Sequence, residues 1–144
     1  MDLESEDDRP ARGLHRYVQL VAEACGVGPD GFFLELERPL RAYLAVDGRL
    51  PQFPTRDVAL WWEEEHGWAA GIETHSGRNL ILLTYLGLDA LPAPQAVVHF
   101  LADLFTERFP GQPNPPALRR VTDTDGLLDR LASYARPAVV RLYL

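Results

Sequence analysis

DVALWWEEEHGWAAGIETHSGRNLILLTYL, residues 57–86, holds three apolar runs separated by two short polar stretches. Runs of this length, rich in Val, Ile, Leu, Trp and Tyr and punctuated by Gly, read as three consecutive antiparallel strands. His66-Gly67 is a two-residue connection between Glu65 and Trp68, with Gly67 able to take the positive φ of a tight hairpin turn. That turn places Trp61 opposite Ile72, Trp62 opposite Gly71 and Val58 opposite His75. Ser76-Gly77-Arg78-Asn79 closes the second hairpin between His75 and Leu80, which sets Ile72 opposite Leu83 and Ala70 opposite Tyr85.

Side chains alternate across a strand, so these registers sort the residues onto two faces. Ala59, Trp61, Trp68, Ala70, Ile72, Ile81, Leu83 and Tyr85 form the expected core face. The other face carries Val58, Leu60, Trp62, Leu80, Leu82 and Leu86, interrupted by Gly71, Glu73, His75 and Thr84. A sheet apolar on both sides needs cover on both. Adjacent Trp61 and Trp62 cannot share a face, so one is core and the other is covered by a helix, a loop or a partner. A one-residue slip would exchange the two sets.

Outward from this centre, Phe32, Leu34 and Leu36 alternate with Phe33, Glu35 and Glu37, and Leu40, Ala42, Leu44 and Val46 alternate with Arg41, Tyr43 and Ala45, giving two further strands. Residues 48–56, GRLPQFPTR, contain two prolines and read as a connection laid over the sheet and pinned by Leu50 and Phe53. Leu14, Tyr17, Val18, Val21, Ala22 and Cys25 recur at helical spacing, with Pro10 suited to a first turn and Gly26 to the stop. A second helix carries Val97, Val98, Leu101, Leu104 and Phe105 and is closed by Gly111. QPNPP, residues 112–116, reads as a linker, residues 119–122 as a short strand, and Leu127, Leu128, Leu131 and Tyr134 as a third helix ended by Pro137. The run AVVRLYL reads as a terminal strand over residues 139–144, pairing within the chain or with a partner, so that deleting residues 138–144 is expected to cost solubility or self-association. The expected fold is α+β: an antiparallel sheet of about five strands in the order α-β-β-β-β-β-α, helices mainly on one side, and a C-terminal helix-strand appendix.

The chain has 144 residues, 47% of them hydrophobic, which suits one domain with its own core. Residues 1–9 begin with five carboxylates in the first eight positions and read as an acidic disordered tail, leaving residues 10–144 as the single domain. Cys25, the one cysteine, excludes an internal disulfide and a cysteine-based zinc cluster. A formal charge of -7 argues against direct nucleic-acid binding, and the absence of a long apolar run argues against a membrane span, so the protein is expected in the cytoplasm. Every basic side chain other than histidine is Arg, which points to a GC-rich bacterial genome.

Candidate chemistry is sparse. Glu73 and His75 share a strand face, the minimal pair for acid-base work or a metal, but no HExxH and no second histidine or cysteine pair completes a metal site, so no cofactor and no metal are expected. Glu63-Glu64-Glu65-His66 reads as a solvated hairpin tip. Gln95, His99 and Asp103 line the polar side of the second helix. No GxSxG elbow and no phosphate-binding loop is present, so no catalytic residue is named. The candidate binding residues are Trp62, Glu73, His75 and Thr84, which sit where the apolar pattern of the second face breaks.

Tyr43-Leu44, the hairpin residues Trp62 to Glu64 with His66 to Trp68, and the Pro92 to Pro94 helix start together resemble an uncharacterised actinobacterial family classed as a domain of unknown function. The similarity covers roughly residues 14–106 and implies a single-domain architecture and an actinobacterial source, with no activity attached. The expected function is a non-enzymatic protein-interaction module, adaptor, chaperone-like or regulatory, whose partner is another protein or a second copy of itself. The alternative is a small-molecule-binding protein or small enzyme using Trp62, Glu73 and His75.

Overall fold

The computed structural model describes residues 8–106, 108, 110–135 and 142–143. Its elements are α1 (Arg9–Ala24), β1 (Phe32–Glu35), β2 (Arg41–Val46), β3 (Val58–Glu63), β4 (Gly67–Glu73), β5 (Leu80–Tyr85), α2 (Pro94–Phe105) and α3 (Leu127–Tyr134). The strands form one open antiparallel sheet in sequence order, β1-β2-β3-β4-β5, so the expected α+β class and element order hold. No helix among the described residues is long and apolar enough to cross a membrane.

Helix α1 carries Pro10 in its first turn and ends in the way its Gly26 foretells. Gly26 takes φ 77°, its N–H bonds the Glu23 carbonyl and the Val27 N–H bonds the Ala22 carbonyl, which together satisfy two orphan carbonyls of the last turn. The helix buries Leu14, Tyr17, Val18, Val21 and Ala22. Against them stand Val58, Leu60 and Trp62 of β3, Trp68, Ala70 and Ile72 of β4, Val97, Phe100, Leu101 and Leu104 of α2, and Leu127 and Leu131 of α3, in one continuous core. All three helices therefore pack on one face of the sheet. Each fully buried Leu or Val stabilises the fold by about 1.5–3 kcal/mol. Leu50 is buried and Phe53 packs on the core edge, so residues 48–56 do lie over the sheet.

The central register differs from the expected one. Trp62 pairs with Trp68 rather than Gly71, and Glu63 pairs with Gly67, a slip of three residues. The turn uses Glu64, Glu65 and His66, with the His66 N–H on the Glu63 carbonyl, and Gly67 with φ 72° opens β4. An odd slip turns β3 over relative to β4. Val58, Leu60 and Trp62 thus join Trp68, Ala70 and Ile72 in the core, and Trp61 goes to the opposite face.

The second hairpin also moves: Glu73 pairs with Leu80, so residues 74–79 form the loop and His75 lies in it rather than on a strand. Ala70 pairs with Thr84 and Gly71 with Leu82, leaving Leu83 as the extra residue of a β-bulge. Gly71 is needed here because β5 approaches its backbone closely. A Cβ on it would stand 2.5 Å from the Ile81 carbonyl oxygen of the neighbouring strand. Gly71→Val is expected to cost about 1–3 kcal/mol by overpacking. A thermal melt coinciding with that of the parent protein would refute this close approach.

Three further expectations change. Helix α2 ends at Phe105 with Thr106 as its cap, ahead of Gly111. Gln112 pairs with Tyr85 through Gln112 N–H to Tyr85 O at 2.8 Å and Tyr85 N–H to Gln112 O at 2.7 Å, so the supposed linker is stitched to the edge of β5. Residues 119–122 form no strand. The acidic run up to residue 7 lies outside the described residues, while Arg9 already belongs to α1. Of the terminal strand expected over residues 139–144, only Leu142 and Tyr143 are described, and both are exposed.

Candidate functional site on the uncovered sheet face

With the helices on one side, the other side of the sheet presents its own row of side chains. Phe33 of β1, Tyr43 of β2, Trp61 of β3, Ala69 of β4 and Tyr85 of β5 face one another in register. A second row holds Ala45, Ala59, Gly71 and Leu82. Ala59, Ala69 and Gly71 are small, so the aromatic rings and Leu82 stand above a low floor. The result is a concavity of about 540 Å³ lined by Phe33, Tyr43, Trp61, Glu73, Leu80 and Leu82, with Gly77, Arg78 and Asn79 of the loop at one end.

The rings are ordered against each other: Phe33 stacks on Tyr43 with centroids 4.9 Å apart and planes 18° from parallel. Phe33 is nevertheless 55% exposed, because nothing among the described residues lies above it. The Tyr43 hydroxyl donates a hydrogen bond to Glu73 Oε1. Burial, reinforced by that bond and by the Glu73 charge, pushes the Tyr43 hydroxyl well above the ordinary tyrosine range. Tyr43 therefore acts as a neutral donor that holds the Glu73 carboxylate in the floor.

The residues singled out from the sequence do not share one surface. Trp62 is fully buried in the core, with Nε1–H donated to the Ala90 carbonyl at 2.6 Å. Thr84 is on the helix side, its hydroxyl donating to the Pro110 carbonyl at 2.6 Å. His75 is exposed in the loop over residues 74–79. Glu73 alone belongs to the concavity. The residues missed are Trp61, Tyr43 and Phe33. Their signal was present, since Phe33 and Tyr43 occupy the outward positions of two adjacent alternating strands, where polar side chains would be ordinary.

The Glu63-Glu64-Glu65-His66 turn is no solvated tip. Glu64 is completely buried and accepts from Arg38 Nε at 2.8 Å, from a second Arg38 nitrogen at 2.6 Å, from the Leu40 N–H at 2.9 Å and from Arg119. Arg119 in turn donates to both carboxylate oxygens of Asp125, at 2.7 and 3.0 Å. Burial alone would raise the Glu64 carboxyl, but the Arg38, Leu40 and Arg119 donors outweigh it and hold the group below the usual carboxylate range. Beside it, the Val121 N–H donates to Glu65 Oε2 at 2.8 Å, the Leu118 N–H to the Glu65 carbonyl at 3.1 Å, and His66 Nδ1 meets the Pro116 carbonyl at 2.9 Å. The turn is the anchor onto which residues 116–125 fold.

Ligand-type atoms of Glu63, Glu65 and His66 do lie within 4.8 Å of one another. Each of these side chains already serves the anchor, Glu63 by accepting the Glu65 N–H at 3.1 Å, so the grouping is accounted for without an ion. The Glu63 carboxyl is pushed up by burial, partly countered by His66.

No curated protein and no solved structure matches the chain. A family described as a family of unknown function (DUF6292) matches residues 17–103, which cover the second half of α1, the whole sheet and nearly all of α2. The matched part includes every strand that lines the concavity, and on that match the chain belongs to the DUF6292 family.

Proposed function

We propose that this protein is a non-enzymatic interaction module that receives a segment of another protein on the uncovered face of its sheet. The observation that carries the reading is the cluster Phe33, Tyr43, Trp61 and Leu82, aromatic and apolar side chains that the described residues leave exposed or only half-buried, while three helices shield the opposite face. Large aromatics held at the centre of an open patch are the side chains that dominate protein-protein binding energies. Among the described residues that line the open concavity, Glu73 is the sole carboxylate and His75 is not present, so they hold no paired acid and base. An actinobacterial source accords with the Lys-free, Arg-, Ala- and Leu-rich composition, and a cytoplasmic location with the single unpaired Cys25.

A photo-crosslinking residue placed at Phe33 is expected to capture a defined partner that the same reagent at Glu23, on the helix side, does not. The recombinant partner is then expected to bind the parent chain and to lose at least 2 kcal/mol, about 30-fold, on Trp61→Ala. A second copy of this chain as the captured species would show as a doubled mass in light scattering and make the module a self-associating one. Equal binding by the Trp61→Ala variant would refute the reading.

A further inference from the structure

We infer that the concavity takes a basic side chain, Arg or Lys, presented by the partner segment, with Phe33, Tyr43 and Trp61 as walls and Glu73 as counter-charge; this rests on the interaction reading above. Three aromatic rings around one carboxylate are the surroundings that hold organic cations, since ring faces attract positive charge and the carboxylate fixes it. The argument from desolvation is independent of the rings. Among the described residues, the Glu73 carboxylate has one hydrogen-bond partner, the neutral Tyr43 hydroxyl, and no ion-pair partner. Any segment laid over the groove removes water from that carboxylate, and an ionised group shut away without a partner is strongly unfavourable. The incoming segment therefore has to bring a cation. The chain's formal charge of -7 adds a long-range attraction for a basic partner.

Two cations of the chain already stand near Glu73: Arg56, whose guanidinium donates to the Glu73 backbone carbonyl at 3.3 Å, and the competing Arg78, which lines the loop end of the same concavity. The Arg78 backbone N–H bonds Ser76 Oγ at 3.4 Å, and its guanidinium has no ion-pair partner among the described residues. Were Arg78 to fold over and neutralise Glu73, a neutral segment would suffice. The two arrangements predict opposite results for the same variants.

The probes are the blocked pentapeptide acetyl-Gly-Leu-Arg-Leu-Gly-amide, its Lys and citrulline counterparts, and N-acetyl-arginine amide, titrated into the full chain. Trp61 reports the binding by fluorescence, because Trp62 and Trp68 are fully buried. Saturable binding of the Arg and Lys peptides is expected, with the neutral isostere citrulline about tenfold weaker. Glu73→Gln, which keeps an acceptor for Tyr43, is expected to bring the Arg peptide down to the citrulline level, and Arg78→Ala to leave its binding equal or tighter. The inference is overturned if citrulline equals Arg, if Glu73→Gln keeps the preference, if Arg78→Ala abolishes binding, or if no peptide binds. It is overturned in favour of a small-molecule site if N-acetyl-arginine amide binds as tightly as the pentapeptide. A partner crosslinked through Phe33 despite any of the first four results removes the cation alone and leaves the interaction module standing.

Discussion

Replacing Glu64 by alanine is expected to lower stability by about 3–5 kcal/mol, the usual consequence of stripping one partner from a buried ion pair. In a domain of this size that corresponds to a fall in melting temperature of roughly 10–20 °C. The reason lies in what remains. Arg119, with its side chain 3% exposed, and Arg38, at 14%, would face each other without the carboxylate that both contact, and the Leu40 N–H would lose its acceptor. Glu64→Gln keeps the Leu40 bond and removes the charge, so it is expected to fall between the parent and the alanine variant. A shift of only a degree or two for Glu64→Ala would mean that the cluster relaxes into water and anchors nothing.

The same cluster sets a direction for acid stability. The carboxyls of Glu64, Asp89 and Asp125 are all held below their ordinary values: Glu64 by Arg38, Leu40 and Arg119 against the opposing effect of burial, Asp89 chiefly by its hydrogen bonds from Arg130, and Asp125 by those from Arg119. A carboxyl depressed in the folded state adds stability above its unfolded value, about 4, and that stability is lost as pH falls through the folded value. Glu63 works in the opposite sense, since its raised carboxyl favours the fold at low pH and loses that contribution as pH climbs through its folded value. Three depressed groups against one raised group give a net loss on acidification below about pH 4. Glu64→Gln, already lacking one of the three, is expected to show a shallower decline in melting temperature between neutral and acid pH. A parallel decline would show that Glu64 carries no linkage.

How far the fold could be read follows from which signals are local. Helical spacing, Pro10 and Gly26 placed α1, and period-two alternation placed β1 and β2 with Phe33 and Tyr43 outward. The register of β3 against β4 was not readable, because Leu60, Trp61 and Trp62 are apolar in both phases and alternation cannot choose between them. The observed phase goes with the burial of Glu64 in the turn, and its arginine partners lie 26 and 55 positions away in the chain. No spacing rule links such residues. The candidate face suffered the same fate: Glu73 was identified, but the slip replaced Trp62 with Trp61 beside it, and the bulge at Leu83 sent Thr84 to the helix side.

Gly13→Ala is expected to destabilise the protein by about 2–5 kcal/mol, even though alanine is the better helix former by about 1 kcal/mol. The opposing effect is steric. Gly13 lies on the buried side of α1 where α3 crosses it, and a Cβ there would stand 1.6 Å from the Leu131 carbonyl oxygen and 2.4 Å from its carbon. Those atoms are backbone, so no side-chain rotation relieves the clash and α3 has to move away. That helix contributes buried Leu127 and Leu131, worth about 1.5–3 kcal/mol each, and the Tyr134 ring that meets Tyr17 at 5.1 Å. Losing most of that burial outweighs the gain in helix propensity. The exposed ion pair between Arg130 and Asp89 is too weakly coupled to hold α3 in place alone. Hydrogen exchange is the discriminating measurement, since the amides of residues 127–134 should lose protection while those of β2, β3 and β4 keep theirs. A Gly13→Ala variant with a higher denaturation midpoint and unchanged exchange over α3 would show that the two helices can separate without cost, and that α3 is no part of the core.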